Sequence, residues 1–191
     1  NICISSWHDG VPVRCTQNAT AGEEWRKGWH PEKFDSPGSN DRILIVGGGP
    51  AGLEAALVAA KRGYRVAIAD KASEMGGRLL FETRMPGLNA WSRVQDYRLY
   101  ALQQMGNVDI YTDSELGVEE VFALEYQRVA IATGARWTRA LYSSLEIPVG
   151  KLNMPNDFTP DDLASGTIPG GPVLVYDFDN YYLGGVIAEH L

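Results

Sequence analysis

Residues 42–70 read RILIVGGGPAGLEAALVAAKRGYRVAIAD, and this stretch decides the fold class of the chain. The run 42–46 is rich in β-branched residues and predicts a buried strand. A glycine-rich turn at 47–52 follows directly, and a helical pattern of apolar residues continues towards a stop signal at Gly63. Residues 64–69 predict a second strand. A strand, a turn, a helix and a strand in this order predict an α/β fold with a parallel sheet.

The glycines of the turn have the GxGxxG spacing of a dinucleotide-binding loop. Gly47 permits the tight turn, Gly49 lets the backbone approach a pyrophosphate, and Gly52 lets the helix pack closely on the strand. The first turn of the helix directs its amide groups at the anion, and Asp70 follows the second strand, where a carboxylate can accept hydrogen bonds from ribose hydroxyls. The binding residues predicted in this stretch are Gly47, Gly49, Pro50, Ala51, Gly52, Asp70 and Lys71. A glycine-rich turn that binds no ligand is the alternative.

The composition excludes several classes of function. Lys and Arg number 17 and Asp and Glu 24, so the net charge is -7, and no basic run is present to attract nucleic acid. No apolar stretch approaches the ~20 residues that a membrane span requires, and no signal peptide is evident. Two cysteines are too few for a disulfide framework. The sequence predicts a soluble, cytoplasmic protein without a nucleic-acid or membrane partner.

The pattern along the chain predicts five segments. They are 1–34, with a short helix after the capping signal at 20–23; the linker 35–41; a three-layer Rossmann-like FAD/NAD(P)-binding domain at 42–140; a connecting segment at 141–171; and the start of a second Rossmann-like domain at 172–191. Trp25 and Trp29 share one face of the short helix. The chain starts without Met and ends inside a helical pattern. We therefore expect a piece of a longer polypeptide whose second dinucleotide-binding domain is truncated.

Two further motifs narrow the choice of nucleotide ligand. EMGGRLL at 74–80 places Gly77 and Arg78 soon after the second strand, and RVAIATGAR at 128–136 ends a later strand with Thr133 and Gly134. Together with the first loop they resemble the FAD or ADP half of flavoproteins that have two dinucleotide domains. The resemblance implies that Leu116, in YTDSELG, contacts the adenine ring. The alternatives are that Arg78 is a solvated surface charge and that Leu116 belongs to the core.

The N-terminal stretch CISSWHDGVPVRCTQNATAGEEWRKGWHPEKF at 3–34, together with these motifs, resembles the iron-sulfur flavoprotein family of trimethylamine, dimethylamine and histamine dehydrogenases and related N-demethylases. In that family an FMN-carrying TIM barrel precedes this region and four cysteines hold a [4Fe-4S] cluster. The resemblance implies that Cys3 and Cys15 are the third and fourth ligands, so residues 1–34 form part of a cluster segment. Because a [4Fe-4S] cluster usually takes four thiolates, we expect none to be complete in this chain. The alternatives are a zinc site with His8 and His30, and thiols without a role.

The same resemblance implies a function for the parent protein. A small amine is oxidised at FMN, and electrons pass through the cluster to a protein acceptor such as an electron-transferring flavoprotein; the parent is a homodimer. The nucleotide held by this chain is ADP or FAD, and we assign no catalytic residue to the chain itself. Two alternatives remain: a part of a 2,4-dienoyl-CoA reductase-like enzyme that uses NAD(P)H, and a stand-alone nucleotide-binding module without enzymatic activity.

The second domain allows a prediction about NAD(P)H. GPVLVYDFDNYYLGG at 171–185 indicates a strand at 173–176 that runs into a loop and a helix. Aligned on the strand ends, Asp177, Asp179 and Tyr182 stand where the first loop has its three glycines, and the glycines at 184–185 lie too far along the helix to make the turn. Carboxylates at a helix N-terminus disfavour a pyrophosphate. The sequence therefore predicts that the second domain binds no NAD(P)H.

Overall fold

A computed structural model of the chain describes residues 2–22, 33–36, 38–142, 148–151, 156–177 and 181–191. The chain forms two compact units, Asn1–Leu79 with Trp91–Thr133 and Leu80–Ala90 with Gly134–Leu191. The segment boundaries expected from the sequence stay predictions. The predicted helix around Trp25 and Trp29 lies outside the described residues. A helix that the sequence did not predict, α1, spans Ile2–His8.

The first unit contains a four-stranded parallel sheet. Its strands are β1 (Arg42–Val46), β2 (Arg65–Ala69), β3 (Val108–Tyr111) and β4 (Arg128–Ile131), in the order β3-β2-β1-β4. β1 lies in the centre, with Val46 opposite Ala69 on one side and Ile131 on the other. The predicted α/β fold with a parallel sheet is confirmed.

Helices cover one face of this sheet. They are α2 (Pro50–Lys61) and α4 (Ser92–Gln103), and a 3-10 turn at Asn89–Trp91 precedes α4. The apolar residues of α2 recur at helical spacing and are buried against the sheet: Leu53, Ala56, Leu57 and Ala60. α2 ends as the sequence predicts, since Gly63 has a φ of 96° and its N–H donates to the carbonyl of Ala60 at 2.9 Å.

The other face of the sheet carries a smaller apolar cluster. Leu44, Val46 and Ala67 are buried there, and partly buried residues from the region of α5 (Val118–Ala123) pack against them. The strands thus alternate between two faces, each packed against other elements of the same unit. The layers are helices, sheet and a thin cover, in agreement with the predicted three-layer domain.

The second unit is built from short elements. The described ones are a two-stranded antiparallel sheet of β5 (Ala140–Tyr142) and β6 (Pro148–Lys151), then α6 (Pro160–Ala164) and α7 (Leu183–His190). A further helix, α3, spans Leu79–Glu82. α7 confirms the predicted helix. The predicted strand at 173–176 is wrong: no described strand pairs with it, and Leu174 is 92% exposed. A β-branched run becomes a strand only when a neighbour completes its hydrogen bonds.

Side-chain caps hold the five-residue helix α6. The backbone N–H and the hydroxyl of Thr159 donate to the Asp162 carboxylate at 2.7 and 2.8 Å, and the Asp162 N–H donates to the hydroxyl oxygen at 3.4 Å. The Arg139 guanidinium also donates to this carboxylate at 2.7 Å. The hydrogen bonds from the backbone and then the hydroxyl of Thr159 lower the pKa of Asp162 below its usual 3.8; burial opposes them with a smaller effect, and the positive charge of Arg139 lowers the pKa further.

We expect the stability of the second unit to fall in acid because Asp162 must then be protonated. A carboxyl group with a lowered folded-state pKa stabilises the fold above its unfolded pKa and loses that contribution as the pH falls through the folded pKa. Asp162→Asn should lower the Tm by about 2–4 °C at pH 7, and by less at pH 3. Thermal unfolding at both pH values measures this, with Glu189→Gln, an exposed acid of α7, as the control. Equal losses at both pH values would contradict the assignment.

Candidate functional site

The site lies at the point where the strand order of the sheet reverses, next to β1. From β1 the chain adds β2 and β3 on one side, and β4 then returns to the other side of β1. In open α/β sheets the crevice at such a switch point, outside the carboxyl ends of the strands, is where ligands bind. Two loops meet at this point: one after β1 begins at Gly47, and one after β4 contains Thr133. The N–H of Ala132 donates to the carbonyl of Val46 at 2.7 Å, which joins them.

Steric demands explain two of the glycines. Gly47 has a φ of 110°, which favours glycine, and a Cβ there would collide with the carbonyl of Ala132 and approach the Thr133 nitrogen at 3.0 Å. A Cβ at Gly52 would collide with the carbonyl oxygen of Gly47. Helix α2 therefore packs against the turn at a distance that no side chain at either position allows.

Gly49 differs because the protein leaves its surroundings open. It has ordinary extended dihedral angles, φ -73° and ψ -178°, and it caps the N-terminus of α2, with Pro50 at the first helical position. A Cβ there would meet only the Cα of Gly77, at 3.9 Å. No side chain in the described part of the chain caps this helix end. The N-terminus of α2 is thus accessible to an anion.

Asp70 links the two strand ends. Its carboxylate accepts hydrogen bonds from the backbone N–H of Gly48 at 2.6 Å and of Ala72 at 2.8 Å. Its own N–H donates to the carbonyl of Tyr111 at 2.9 Å. An ionised carboxylate offers about four acceptor sites, so two backbone bonds leave capacity for hydroxyl groups of a ligand. Asp70 is half-buried.

The remaining residues predicted to bind the nucleotide differ in their burial and contacts. Gly77, with a φ of 55°, packs on the glycine loop, since a Cβ there would lie 3.0 Å from the Cα of Gly49. Arg78 is half-buried and interacts with other groups, whereas Lys71 is exposed. Leu116 is half-buried against the smaller apolar cluster, and its contact with adenine stays a prediction. Gly134 follows Thr133 with a φ of 78°.

Sequence reasoning missed three residues that shape the loop. Gly48 stands at a position that the motif leaves free, yet its carbonyl accepts a hydrogen bond from the N–H of Gly76 at 2.8 Å. A Cβ at Gly48 would collide with the Sδ of Met75, which is only 2% exposed. The middle glycine of GGGPAG and the methionine before the later glycine pair were the available signals. Neither signal reveals that the two segments touch.

The second loop has a different register from the predicted one. α7 begins at Leu183, so Tyr182 stands at the N-cap, the place of Gly49, and Gly185 stands at the third helical position, the place of Gly52. The predicted pairing of Tyr182 with Gly52 is wrong, and the glycines at 184–185 lie in the first turn of the helix. The predicted alignment started from the end of a strand at 173–176, and that strand does not form. Asp179 lies outside the described residues.

The carboxylate of Asp177 lies at the start of α7, and a second one, of Glu82, binds the side chain of the N-cap residue Tyr182. A Cβ at Gly184 would lie 2.5 Å from the Asp177 Oδ2 atom, so this carboxylate rests against the first turn of the helix. Glu82, which is only 5% exposed, accepts a hydrogen bond from the Tyr182 hydroxyl at 3.2 Å. Both groups belong to the second unit. The Asp177 carboxylate lies where a dinucleotide loop would receive a phosphate, and this disfavours an anionic ligand.

The two cysteines are exposed and unpaired, Cys3 in α1 and Cys15 in the following loop. A [4Fe-4S] cluster usually takes four thiolates, and the chain has two cysteines. Among the described residues, no group of three or more His, Cys, Asp or Glu side chains could hold a metal ion. These residues do not fit a complete cluster. The zinc alternative stays untested, since His8 is exposed in α1 and His30 lies outside the described residues.

No helix in the described ranges is both long and apolar enough to cross a bilayer. The sheet order, the glycine turn at its switch point and the acid after β2 define a nucleotide-binding domain of the kind found in flavin-dependent oxidoreductases. The chain belongs to the pyridine nucleotide-disulphide oxidoreductase family, whose model matches residues 41–157.

Three relatives are similar over nearly the whole chain. Dimethylamine dehydrogenase from Hyphomicrobium sp. (strain x) is 39% identical over 99% of this chain and 27% of that protein. The structure of 6-hydroxypseudooxynicotine amine oxidase from Pseudomonas geniculata N1 matches with a TM-score of 0.91 and 48% identity, over 100% of this chain and 29% of the other. Histamine dehydrogenase from Rhizobium sp. 4-9 matches with a TM-score of 0.88 and 44% identity, over 98% and 28%.

These similarities confirm the resemblance to the trimethylamine dehydrogenase-like flavoproteins. The chain spans less than a third of the length of the three relatives.

Proposed function

We propose that the chain is the adenine-nucleotide-binding part of an iron-sulfur flavoprotein that oxidatively demethylates or deaminates small amines. The nucleotide is ADP or FAD. The complete enzyme is cytoplasmic and homodimeric, and it passes electrons from FMN through a [4Fe-4S] cluster to a protein acceptor of the electron-transferring flavoprotein kind. Cys3 and Cys15 contribute two of the four cluster ligands.

One observation carries the nucleotide assignment. The Gly47 turn, the open backbone at Gly49 and the Asp70 carboxylate converge at the carboxyl edge of the sheet, beside the loop that contains Thr133. Each feature serves a different part of one ligand. The Gly47 turn and the open backbone at Gly49 let a pyrophosphate approach the positive N-terminus of α2. The Asp70 carboxylate accepts hydrogen bonds from the ribose hydroxyls. A glycine turn that served packing alone would not explain the open space at Gly49.

The residues of the chain bind and orient the nucleotide without taking part in chemistry. The amide groups at the N-terminus of α2 face the pyrophosphate, and the unused acceptor sites of Asp70 receive ribose hydroxyls. A bound FAD would supply a redox-active flavin, whereas a bound ADP would serve a structural role. Both present the same pyrophosphate to the loop, so the site favours neither.

The relatives support the amine class of substrate. Two are named dehydrogenases of dimethylamine and histamine, and the third is an amine oxidase. This chain contributes no residue that we assign to the oxidation of the amine. The substrate step therefore belongs to parts of the protein beyond these residues.

Titration calorimetry of the chain with ADP and with FAD tests the nucleotide assignment. We expect saturable binding of at least one of them with one site per chain. A chain that binds neither nucleotide would overturn the proposal, whereas a chain that binds NADPH more tightly than both would favour the reductase alternative.

We expect the complete enzyme to accept no electrons from NAD(P)H, because the start of α7 has the Asp177 carboxyl group and a tyrosine at the N-cap instead of a glycine turn. Anaerobic rapid mixing with NADH and with NADPH should leave the flavin absorbance unchanged, while addition of the amine bleaches it. Flavin reduction by NADPH at the rate of turnover would instead support the 2,4-dienoyl-CoA reductase-like alternative. A protein that carries no flavin at all would point to the stand-alone module.

A further inference from the structure

We propose that Met75 is a positioning residue that holds the glycine loop in its nucleotide-binding conformation through direct contact with Gly48. The inference rests on the proposed nucleotide site and deepens it. It assigns a function to a buried side chain and to a glycine that the dinucleotide motif leaves unspecified.

The segment 75–77 packs backbone to backbone on the loop. The N–H of Gly76 donates to the carbonyl of Gly48 at 2.8 Å, and Gly77 leaves so little room that a Cβ there would lie 3.0 Å from the Cα of Gly49. Between these contacts the Sδ of Met75 occupies the volume that a side chain at Gly48 would need, and the Cβ and Oδ2 atoms of Asp70 lie 3.2 and 3.3 Å from the same position. The loop is therefore held from the outside at two successive residues.

Met75 is fixed in turn by the hydrophobic core. It is 2% exposed and belongs to the cluster that joins β1 and β2 to α2, which includes Ile45, Leu53 and Ile68. A close-packed core leaves a buried side chain little freedom. The position of the thioether, and with it that of Gly48, is thus set by the packing of the sheet against its helix.

The position of Gly48 affects both predicted ligand contacts. Its N–H donates to the Asp70 carboxylate at 2.6 Å, and the next residue along, Gly49, is the one left open for the pyrophosphate. A displacement of Gly48 would move the acid and the open backbone relative to each other. Affinity for the nucleotide should depend on this contact beyond its effect on stability.

Four variants of the full chain test the inference, each titrated with ADP and with FAD and melted in parallel. Gly48→Ala should weaken binding of the nucleotide about tenfold, within the range measured for residues in contact. Gly48→Ala with Met75→Val removes the atom at the δ position and should recover about threefold or more, although the cavity left behind lowers the Tm further. Gly48→Ala with Met75→Leu keeps atoms at the δ position, so the affinity should stay within about twofold of Gly48→Ala alone.

Gly106→Ala is the matched control, because a Cβ there meets nothing within 4 Å. A gain in affinity together with a loss in Tm supports positioning, since a purely structural effect would move both in the same direction. If Gly48→Ala fails to fold, Met75→Val and Met75→Leu in the otherwise unmutated chain decide the question: weaker nucleotide binding in the Val variant but not in the Leu variant supports the inference, and equal affinities overturn it. Equal affinities in both double variants, or an unchanged affinity in Gly48→Ala, would overturn it while leaving the nucleotide site intact. Absence of binding by the unmutated chain would overturn the proposed function and this inference together.

Discussion

Gly52→Ala is expected to cost the chain about 3 kcal/mol of unfolding free energy, at the upper end of the range for an overpacked site. The added methyl group would collide with the carbonyl oxygen of Gly47 and lie 3.0 Å from its carbonyl carbon. Both are backbone atoms of a tight turn that cannot move aside as a flexible side chain can. In an ordinary helix the same change stabilises by about 1 kcal/mol, so a loss here identifies the close approach of α2 to the turn.

Thermal unfolding followed by circular dichroism measures this effect, and the Tm should fall by about 10 °C. Gly106→Ala provides the comparison, because Gly106 has no atom within 4 Å of an added Cβ. A Gly52→Ala variant with an unchanged Tm would show that the helix does not pack on the turn as described here. Nucleotide binding should fall in parallel, since the displaced turn carries Gly47.

Gly49→Val is expected to weaken ADP or FAD binding about a hundredfold while leaving the fold in place, since it removes one or two hydrogen bonds to a charged phosphate. The dihedral angles of Gly49 suit any residue, and an added Cβ would meet only the Cα of Gly77, at an ordinary 3.9 Å. The side chain would instead occupy the open volume at the N-terminus of α2. We therefore expect the fold to accommodate a valine at position 49, whereas the pyrophosphate loses its place there.

Calorimetric titration gives the affinity, and a parallel thermal melt reports the fold. Gly106→Val introduces the same side chain at an open glycine of the same unit and should bind the nucleotide like the unmutated chain. Equal affinities of the Gly49 variant and the unmutated chain would remove the glycine loop from the site. A variant whose Tm falls with its affinity would show that Gly49 has a packing role instead.

Nucleotide affinity and the packing of the fold depend on different glycines of one loop. Gly47 and Gly52 are needed by the protein itself, since a Cβ at either would collide with its backbone. Gly49 is open, whereas a Cβ at Gly48 would collide with the buried Met75 side chain and lie 3.2 and 3.3 Å from the Cβ and Oδ2 atoms of Asp70. The four positions should therefore respond differently to substitution, in stability at the outer two and in affinity at the inner two.

The amino-acid sequence by itself determined β1, α2 and β2, and with them the fold class. Their signals are local: a β-branched run, apolar residues at helical spacing and a glycine stop at Gly63 act within a few residues of the element that they form. The glycine spacing also follows from local sterics, because a tight turn between a strand and a helix demands small residues whatever surrounds it. The family resemblance rested on the N-terminal stretch at 3–34 together with the glycine motifs, and the similarity to amine dehydrogenases confirms it.

Only the tertiary structure decided the features that depend on partners distant in the sequence. The contact of Met75 with Gly48 joins segments separated by a helix and a strand, so neither segment carries a sign of it. The run at 173–176 has the composition of a strand, but it forms none because no described strand pairs with it. The start of α7 at Leu183 also could not be read from the local pattern. The hydroxyl of Tyr182, the residue before this helix, donates to the buried Glu82, a residue 100 positions away.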